Sequence, residues 1–215
     1  MVAMYRLTGI VLNRRNVGPV DRAVTVLAAD GKHVLRARGT QKLASKLAGS
    51  LEPLTLVELT VAPGRRQLVT GSTVRDSYRN IHANLARISG ASLLVSAVDA
   101  LVFGLVDDTT VFRRVREALA LLSRSRTNRD VFLAVAYGLW NLLWLLGHAD
   151  RPTSASAGGR LQSVLLRGRV NQVRRIRCRV ATARWSVEAA VVGVEQVAER
   201  PVPAAAFFRA ALGPR

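Results

Sequence analysis

The hydrophobic pattern of the chain changes its period near Ser72, and this change limits the folds open to it. Before Ser72, apolar residues alternate with polar ones in short runs rich in Val, Leu and Thr, which is typical of β-strands. After Ser72, apolar residues recur every three or four positions, which is typical of amphipathic helices. A β-domain followed by helices is therefore predicted, and this is the α+β class.

Five strands are predicted in the first part of the chain. The second and third flank Asp30-Gly31 and the fourth and fifth flank Pro63-Gly64, two dipeptides that favour tight turns. The longer connection at 39–53 suits the crossing segment of a five-stranded Greek-key β-barrel, the OB-fold. The strands are predicted at 5–13, 20–29, 33–38, 54–62 and 67–72.

An all-α helical domain is predicted after the barrel, with helices at 74–88, 91–106, 111–122 and 131–146. The last of these is the most apolar run in the chain. It has 16 residues and carries Asn141 near its middle, whereas a helix needs about 20 apolar residues to cross a bilayer. A helix buried in an α-helical core is therefore favoured, and a membrane-surface helix is the alternative left open.

Three regions are predicted: an OB-fold nucleic-acid-binding domain at 1–80, a helical domain at 81–150, and an Arg-rich C-terminal segment at 151–215. Residues 152–159 are rich in Ser, Ala and Gly and predict a flexible spacer. Beyond it, the alternation at 175–180 suggests a strand and the pattern at 185–199 suggests a helix. The Arg, Ala and Val bias there would also follow from a GC-rich gene translated in a shifted frame, a hypothesis that the nucleotide sequence tests.

The formal charge of +18 calls for a polyanion, because self-repulsion of this size disfavours a compact chain unless the field is used. Residues 1–80 hold 13 basic and 5 acidic side chains, and 151–215 hold 12 and 3, which gives +8 and +9. The middle, with 7 and 6, is close to neutral. Nucleic acid is the favoured partner, and the basic character belongs to the two ends of the chain.

Arginines and lysines of the predicted barrel are the candidate DNA-binding residues. In the third strand, Leu35 and Ala37 are expected to face the core and Arg36 and Arg38 the solvent, because side chains alternate along a strand. The other candidates lie after the first strand, in the long connection and in the last hairpin, where loops could follow a phosphate backbone. The full set is Arg14, Arg15, Arg36, Arg38, Lys42, Lys46, Arg65 and Arg66.

Aromatic side chains are scarce in the same region, although binders of single strands commonly stack bases on such rings. Tyr5 and Tyr78 are the only aromatic residues among the first 80. Affinity is therefore expected to come from phosphate contacts and counterion release, and to fall steeply between about 50 and 300 mM salt.

No pattern for catalysis or metal binding is found in the sequence, so the protein is expected not to be an enzyme and to hold no cofactor. It lacks a phosphate-binding Gly-rich loop, a His-Glu-x-x-His pattern and a Gly-x-Ser-x-Gly pattern. Asp21 is interpreted as a structural ion pair or turn cap. The single cysteine, Cys178, and an N-terminus without signal-peptide features suit a cytoplasmic protein.

The first 150 residues also resemble the RecO DNA repair family in the order and spacing of short segments. The segment Leu142 to Gly147, followed by His148, is similar to a helical Leu-Leu-x-x-Leu-Gly-Tyr stretch of that family. The N-terminal segments that carry the resemblance are Gly9-Ile10-Val11-Leu12, Gly18-Pro19-Val20-Asp21-Arg22, Asp30-Gly31-Lys32, Ala37-Arg38-Gly39, then Lys42, Ser45, Lys46 and Leu47, and Leu54-Thr55-Leu56-Val57-Glu58-Leu59.

The resemblance implies an OB-fold joined to a helical domain and a role in recombinational repair. It implies binding of single-stranded DNA, annealing of complementary strands, and work with RecR and the single-strand-binding protein tail to load RecA. Two departures stand out: Pro19 replaces the family's usual Glu, and 153–159 lacks the four-cysteine zinc motif of many relatives. Zinc is therefore expected to be absent. An OB-type RNA-binding or ribosome-associated protein is the alternative function.

Overall fold

The computed structural model describes residues 3–41, 47–104, 109–149, 157–167 and 170–213. Their contacts group the chain into two compact units. The barrel unit comprises Met1–Tyr78 and Val102–Phe112, and the helical unit comprises Arg79–Leu101 and Arg113–Arg215. The boundaries at residues 80 and 150 that the sequence suggested stay predictions.

Five strands close into a barrel in the order β1-β2-β3-β5-β4, and β4 pairs back onto β1. All neighbours are antiparallel except β3 and β5, which meet in parallel through Arg36 and Leu68. This order confirms the predicted five-stranded OB-fold. The strands are β1 (Tyr5–Val17), β2 (Asp21–Ala28), β3 (Gly31–Ala37), β4 (Leu56–Ala62) and β5 (Leu68–Asp76), with a 3₁₀ turn at Ala48–Leu51.

The barrel core follows from the alternation of side chains along each strand. Val24, Leu35, Val57 and Leu59 are fully buried at its centre, and each such side chain stabilises the fold by about 1.5–3 kcal/mol. The β2–β3 turn depends on Gly31, whose φ of 119° lies in the region that glycine adopts without steric cost.

Two strands are longer than predicted. β1 continues to Val17, so that Arg14 and Arg15 lie within the strand and not after it, because β2 supplies hydrogen-bonding partners as far as Asp21. β5 continues to Asp76, which pairs with Leu56 of β4. The change of period therefore comes four residues later than the side chains around Ser72 suggested.

The helix predicted at 74–88 is wrong as one element, because its first residues belong to β5. A short helix, α1 (Arg79–His82), precedes α2 (Leu85–Leu101), α3 (Thr109–Ser123) and α4 (Asn128–Leu145). The backbone turns at Tyr78, where φ is 44° and the backbone N–H donates to the Asp76 carboxylate at 2.7 Å. The helices predicted at 111–122 and 131–146 are confirmed.

The helical unit is built around α4. Its middle is buried on all sides, including the side chain of Tyr137, and α2, α5 and α7 pack against it. A capping box fixes its start. The Thr127 side chain accepts a hydrogen bond from the Asp130 backbone N–H, and the Asp130 side chain accepts one from the Thr127 backbone N–H. Among the described helices, none is long and apolar enough to span a membrane.

The C-terminal segment is helical where the structure describes it. The strand suggested at 175–180 is wrong: residues 176–179 have no regular structure, and Val180 begins a helix. The helix suggested at 185–199 is confirmed. The elements are α5 (Ala157–Arg167), α6 (Val170–Val173), α7 (Val180–Ala198) and α8 (Pro203–Leu212). The reading-frame hypothesis stays a prediction.

Candidate nucleic-acid interface

The strand register places two candidate arginines on the same outer face of the barrel. Arg15 of β1 lies directly opposite Ala23 of β2, and Ala23 lies directly opposite Arg36 of β3. Directly opposed residues project from the same side of a sheet. Ala23 is small and buried between the two arginines, whose strands lie about 9–10 Å apart.

The β4–β5 hairpin brings two more arginines to this face. Arg65 and Arg66 are exposed in the hairpin, which is held against β3 by a hydrogen bond from the Arg36 backbone N–H to the Gln67 carbonyl at 2.9 Å. Together these side chains line a shallow cavity of about 380 Å³. We call the group the arginine patch; it comprises Arg15, Arg36, Arg65 and Arg66.

Asp21 lies at the edge of the arginine patch and holds Arg36 in place. Its carboxylate accepts hydrogen bonds from Arg36 at 2.7 and 3.1 Å and from the backbone N–H of Gly39 at 2.9 Å. The Gly39 bond, followed by the Arg36 bonds, lowers the pKa of Asp21. The interpretation of Asp21 as an ion pair and turn cap agrees with this geometry, and its partner is Arg36.

Arg38 follows β3 and is exposed on the same side as Asp21, whose pKa its charge also lowers. The alternation expected for this segment is present, because Leu35 and Ala37 are fully buried and Arg36 and Arg38 are not. Arg38 therefore borders the arginine patch.

Arg14 is not brought into the arginine patch. It lies opposite Val24, which is in the barrel core, so its side chain leaves β1 on the other side from Arg15. There it forms an ion pair with Glu52. Lys42 and Lys46 lie outside the described residues. For all eight residues, contact with DNA stays a prediction.

Three arginines of the patch carry charge that no acidic side chain offsets. Arg15, Arg65 and Arg66 form no ion pair with any residue that the structure describes. The outer face of β2 and β3, flanked by the β1–β2 and β4–β5 loops, is the surface on which OB-folds bind oligonucleotides. The arginine patch occupies this surface.

Lys32, which is absent from the predicted DNA-binding residues, lies on the outer face of β3 by the same alternation. It precedes Arg36 by four residues, with Val34 between them and 55% exposed. The period of two along a strand, taken back from Arg36 through Val34, identifies Lys32 in the sequence. Lys32 extends the cationic face along β3 beyond the arginine patch.

A second group of arginines lies within the helical unit. Arg124 and Arg126 precede α4, Arg129 lies in its first turn, and Arg174 follows α6. They surround a cavity of about 300 Å³ together with Asp130. We call this the helical arginine pocket. Asp130 accepts backbone N–H groups from Arg126 and Thr127, both at 3.1 Å, so its charge is part of the helix cap.

Comparison with known proteins finds relatives that match the residues of the barrel. Residues 1–77 match the family model described as the N terminus of recombination protein O. The DNA repair protein RecO of Roseiflexus sp. (strain RS-1) is 38% identical over 100 residues, which cover 46% of this chain and 35% of the relative. The barrel residues are therefore similar to the N-terminal part of RecO proteins. The resemblance found in the sequence is thereby confirmed.

Other RecO proteins match at lower identity, some of them over a longer part of the chain. The DNA repair protein RecO of Synechococcus sp. (strain JA-2-3B'a(2-13)) is 29% identical over 161 residues, covering 68% of this chain and 55% of the relative. The DNA repair protein RecO of Heliobacterium modesticaldum is 34% identical over 100 residues, which cover 46% of this chain and 37% of the relative. The chain thus spans about a third to about half of the length of these RecO proteins.

Proposed function

We propose that this chain, like the RecO proteins it resembles, acts in DNA repair and recombination, and that it does so by binding single-stranded DNA on the arginine patch. The observation that carries the proposal is the convergence of Arg15, Arg36, Arg65 and Arg66 on the outer face of an OB-fold. The guanidinium groups of Arg15, Arg65 and Arg66, which no acidic side chain among the described residues offsets, can each neutralise a phosphate and release a condensed counterion, so the binding free energy is largely electrostatic.

The shape of the surface favours a single strand over a duplex. The arginine patch lies on a strongly curved barrel between two loops, and a bound chain must follow that curve. Double-stranded DNA has a persistence length of about 50 nm and bends only at a cost in free energy, whereas a single strand is flexible. A flexible strand can therefore contact all four arginines at once.

We further propose that bound strands are annealed to complementary ones, and that the protein helps RecA load onto DNA coated by the single-strand-binding protein. Neutralised phosphates repel a second strand less, which favours pairing. RecR, the single-strand-binding protein tail and RecA are partners that the family suggests for this chain. The proposed action is binding and assembly, without a chemical step.

Binding of the full chain to labelled oligonucleotides tests the proposal. The probes are a single-stranded DNA, the matching duplex and an RNA of the same sequence, each titrated over a range of salt concentrations. We expect preference for the single-stranded DNA and a steep loss of affinity with salt. Faster annealing of complementary DNA strands would support the repair role. An affinity for single-stranded DNA that does not change with salt concentration would overturn the proposal.

Preference for structured RNA would favour the alternative, an OB-type RNA-binding protein. The exposed side chains of the patch are guanidinium groups that bind phosphates of either nucleic acid. The comparison between DNA and RNA of one sequence separates the two functions, because only contacts to the 2′-hydroxyl or to A-form geometry favour the RNA.

A further inference from the structure

An exposed aromatic ring lies in the barrel unit, contributed by a segment distant in sequence from the strands. Phe103 follows α2 and belongs to Val102–Phe112, which groups with the barrel. Its side chain is 75% exposed, the highest value among the large apolar residues that the structure describes. Exposing a phenyl ring costs free energy, since burial of such a side chain is worth about 1.5–3 kcal/mol.

Phe103 is fixed beside the start of β3. The backbone N–H of Lys32 donates to the carbonyl of Gly104 at 2.7 Å, and the Lys32 ammonium lies 5.3 Å from the centroid of the Phe103 ring. Gly104 has a φ of 66°, which permits the tight turn after the ring. A cation over one ring face orients the ring, and its exposure leaves the opposite face accessible.

The ring is aligned with the arginine patch along one strand. Lys32, Val34 and Arg36 alternate on the outer face of β3, so their side chains project to the same side. Four residues of extended strand separate Lys32 from Arg36 by about 13 Å. The outer face of β3 thus carries a ring beside an ammonium group at one end, an exposed Val34 in the middle and guanidinium groups at the other end.

We propose that Phe103 is a base-stacking residue for the single-stranded DNA held by the arginine patch. This inference rests on the proposed function. The Phe103 ring supplies the apolar contact that phosphate binding alone lacks. A strand that runs along β3 places its phosphates against Lys32 and Arg36, and one of its bases against the open face of the ring. Stacking on an aromatic side chain accepts any base.

The test uses the full chain with Phe103→Ala, Phe103→Trp and a matched control, Phe207→Ala, which truncates another exposed phenylalanine on α8 of the helical unit. Two probes of equal length are compared: oligo-dT and an abasic deoxyribose-phosphate strand. We expect Phe103→Ala to weaken oligo-dT binding about tenfold and to leave the abasic strand unaffected. Phe103→Trp and Phe207→Ala should bind both probes like wild type.

The salt dependence provides a second readout. Removal of a stacking ring breaks no phosphate contact, so the slope of log K against log salt should be unchanged in Phe103→Ala. Equal binding of oligo-dT by Phe103→Ala and wild type would overturn the stacking role alone and leave the arginine patch standing. If Phe103→Ala weakened binding of the abasic strand as much as binding of oligo-dT, the stacking role alone would likewise be overturned. If wild type binds no single-stranded DNA, the proposed function fails and stacking fails with it.

Discussion

The barrel unit and the helical unit each gather arginines around a cavity, but they present them differently. In the barrel, Arg15 and Arg36 lie on β1 and β3, the two strands that flank β2, and Arg65 and Arg66 lie on the adjoining hairpin, so the charges line an extended sheet face. In the helical unit, the arginines cluster at the start of α4 around Asp130.

The arginine patch and the helical arginine pocket differ in the side chains that surround their arginines. The outer face of β3 adds an exposed valine and the Phe103 ring, so it offers contacts for bases as well as for phosphates. The described lining of the helical arginine pocket has no aromatic side chain, and its single carboxylate caps a helix at the centre of the cluster. Net charge alone does not make a strand-binding surface. We expect the barrel to dominate DNA affinity.

The largest expected effect is the loss of DNA affinity when the unpaired arginines of the patch are removed. The triple variant Arg15→Ala, Arg65→Ala, Arg66→Ala should bind single-stranded DNA on the order of 100-fold more weakly at low salt, because three phosphate contacts are lost. The matched control removes three arginines of the helical arginine pocket, Arg124, Arg126 and Arg174, and should stay close to wild type in fluorescence anisotropy titrations. Equal losses in both would erase the difference between the units.

The second expected effect is a change in the free energy of unfolding, with no change in DNA affinity. Tyr137 of α4 is fully buried; its hydroxyl donates to Glu117 at 2.5 Å and accepts from Arg114 at 2.6 Å. Tyr137→Phe should lower the free energy of unfolding by about 1–2 kcal/mol and leave DNA affinity unchanged. Chemical denaturation and anisotropy measure the two. A loss of affinity would mean that this buried group supports the DNA site.

The same residue predicts a pH dependence. Burial, followed by the hydrogen bond to Glu117, raises the pKa of Tyr137 to about 12 from its ordinary value of 10.0. The protonated form is therefore favoured by folding, and this stabilisation is complete below pH 10 and lost as the pH rises towards 12. Wild type should lose its advantage over Tyr137→Phe in that window, as measured by thermal unfolding. A constant difference between the two proteins would contradict the assignment.

The smallest effect concerns Asp21. Asp21→Asn keeps an oxygen that can accept the Gly39 N–H but removes a negative charge beside Arg36, so single-stranded DNA should bind roughly threefold more tightly at low salt. Because the pKa of Asp21 is lowered in the folded state, the stability it gives is present above pH 4 and lost as the pH falls through that lowered value. Acid unfolding of wild type and variant measures this loss, which the variant should not show.

Much of the barrel could be predicted because alternation and turn residues are local signals. Leu35 and Ala37 against Arg36 and Arg38 identified the inner and outer faces of β3, and the turn residues identified the β2–β3 and β4–β5 hairpins. The ends of strands were less predictable, since they depend on partners elsewhere in the chain. Arg14 and Arg15 looked alike in sequence, and only the register with β2 separates them.

The remaining parts of the site depend on contacts between distant segments. Phe103 lies after a helix, and no local pattern links it to Lys32, some 70 positions earlier. The turn between β5 and α1 comes from the left-handed conformation of Tyr78, a residue whose spacing suited a continuous helix. The segment 176–179 alternates in sequence but has no neighbouring strand to pair with among the described residues, so it forms no sheet.

The salt dependence of single-stranded DNA binding tests the role of the arginine patch most directly. The slope of log K against log salt should be smaller by about 2 in the Arg15, Arg65, Arg66 triple variant than in wild type, since each lost contact with a single strand contributes about 0.7. The matched helical variant should keep the wild-type slope. An unchanged slope in the barrel variant would show that the phosphates are held elsewhere and would contradict the proposed DNA site.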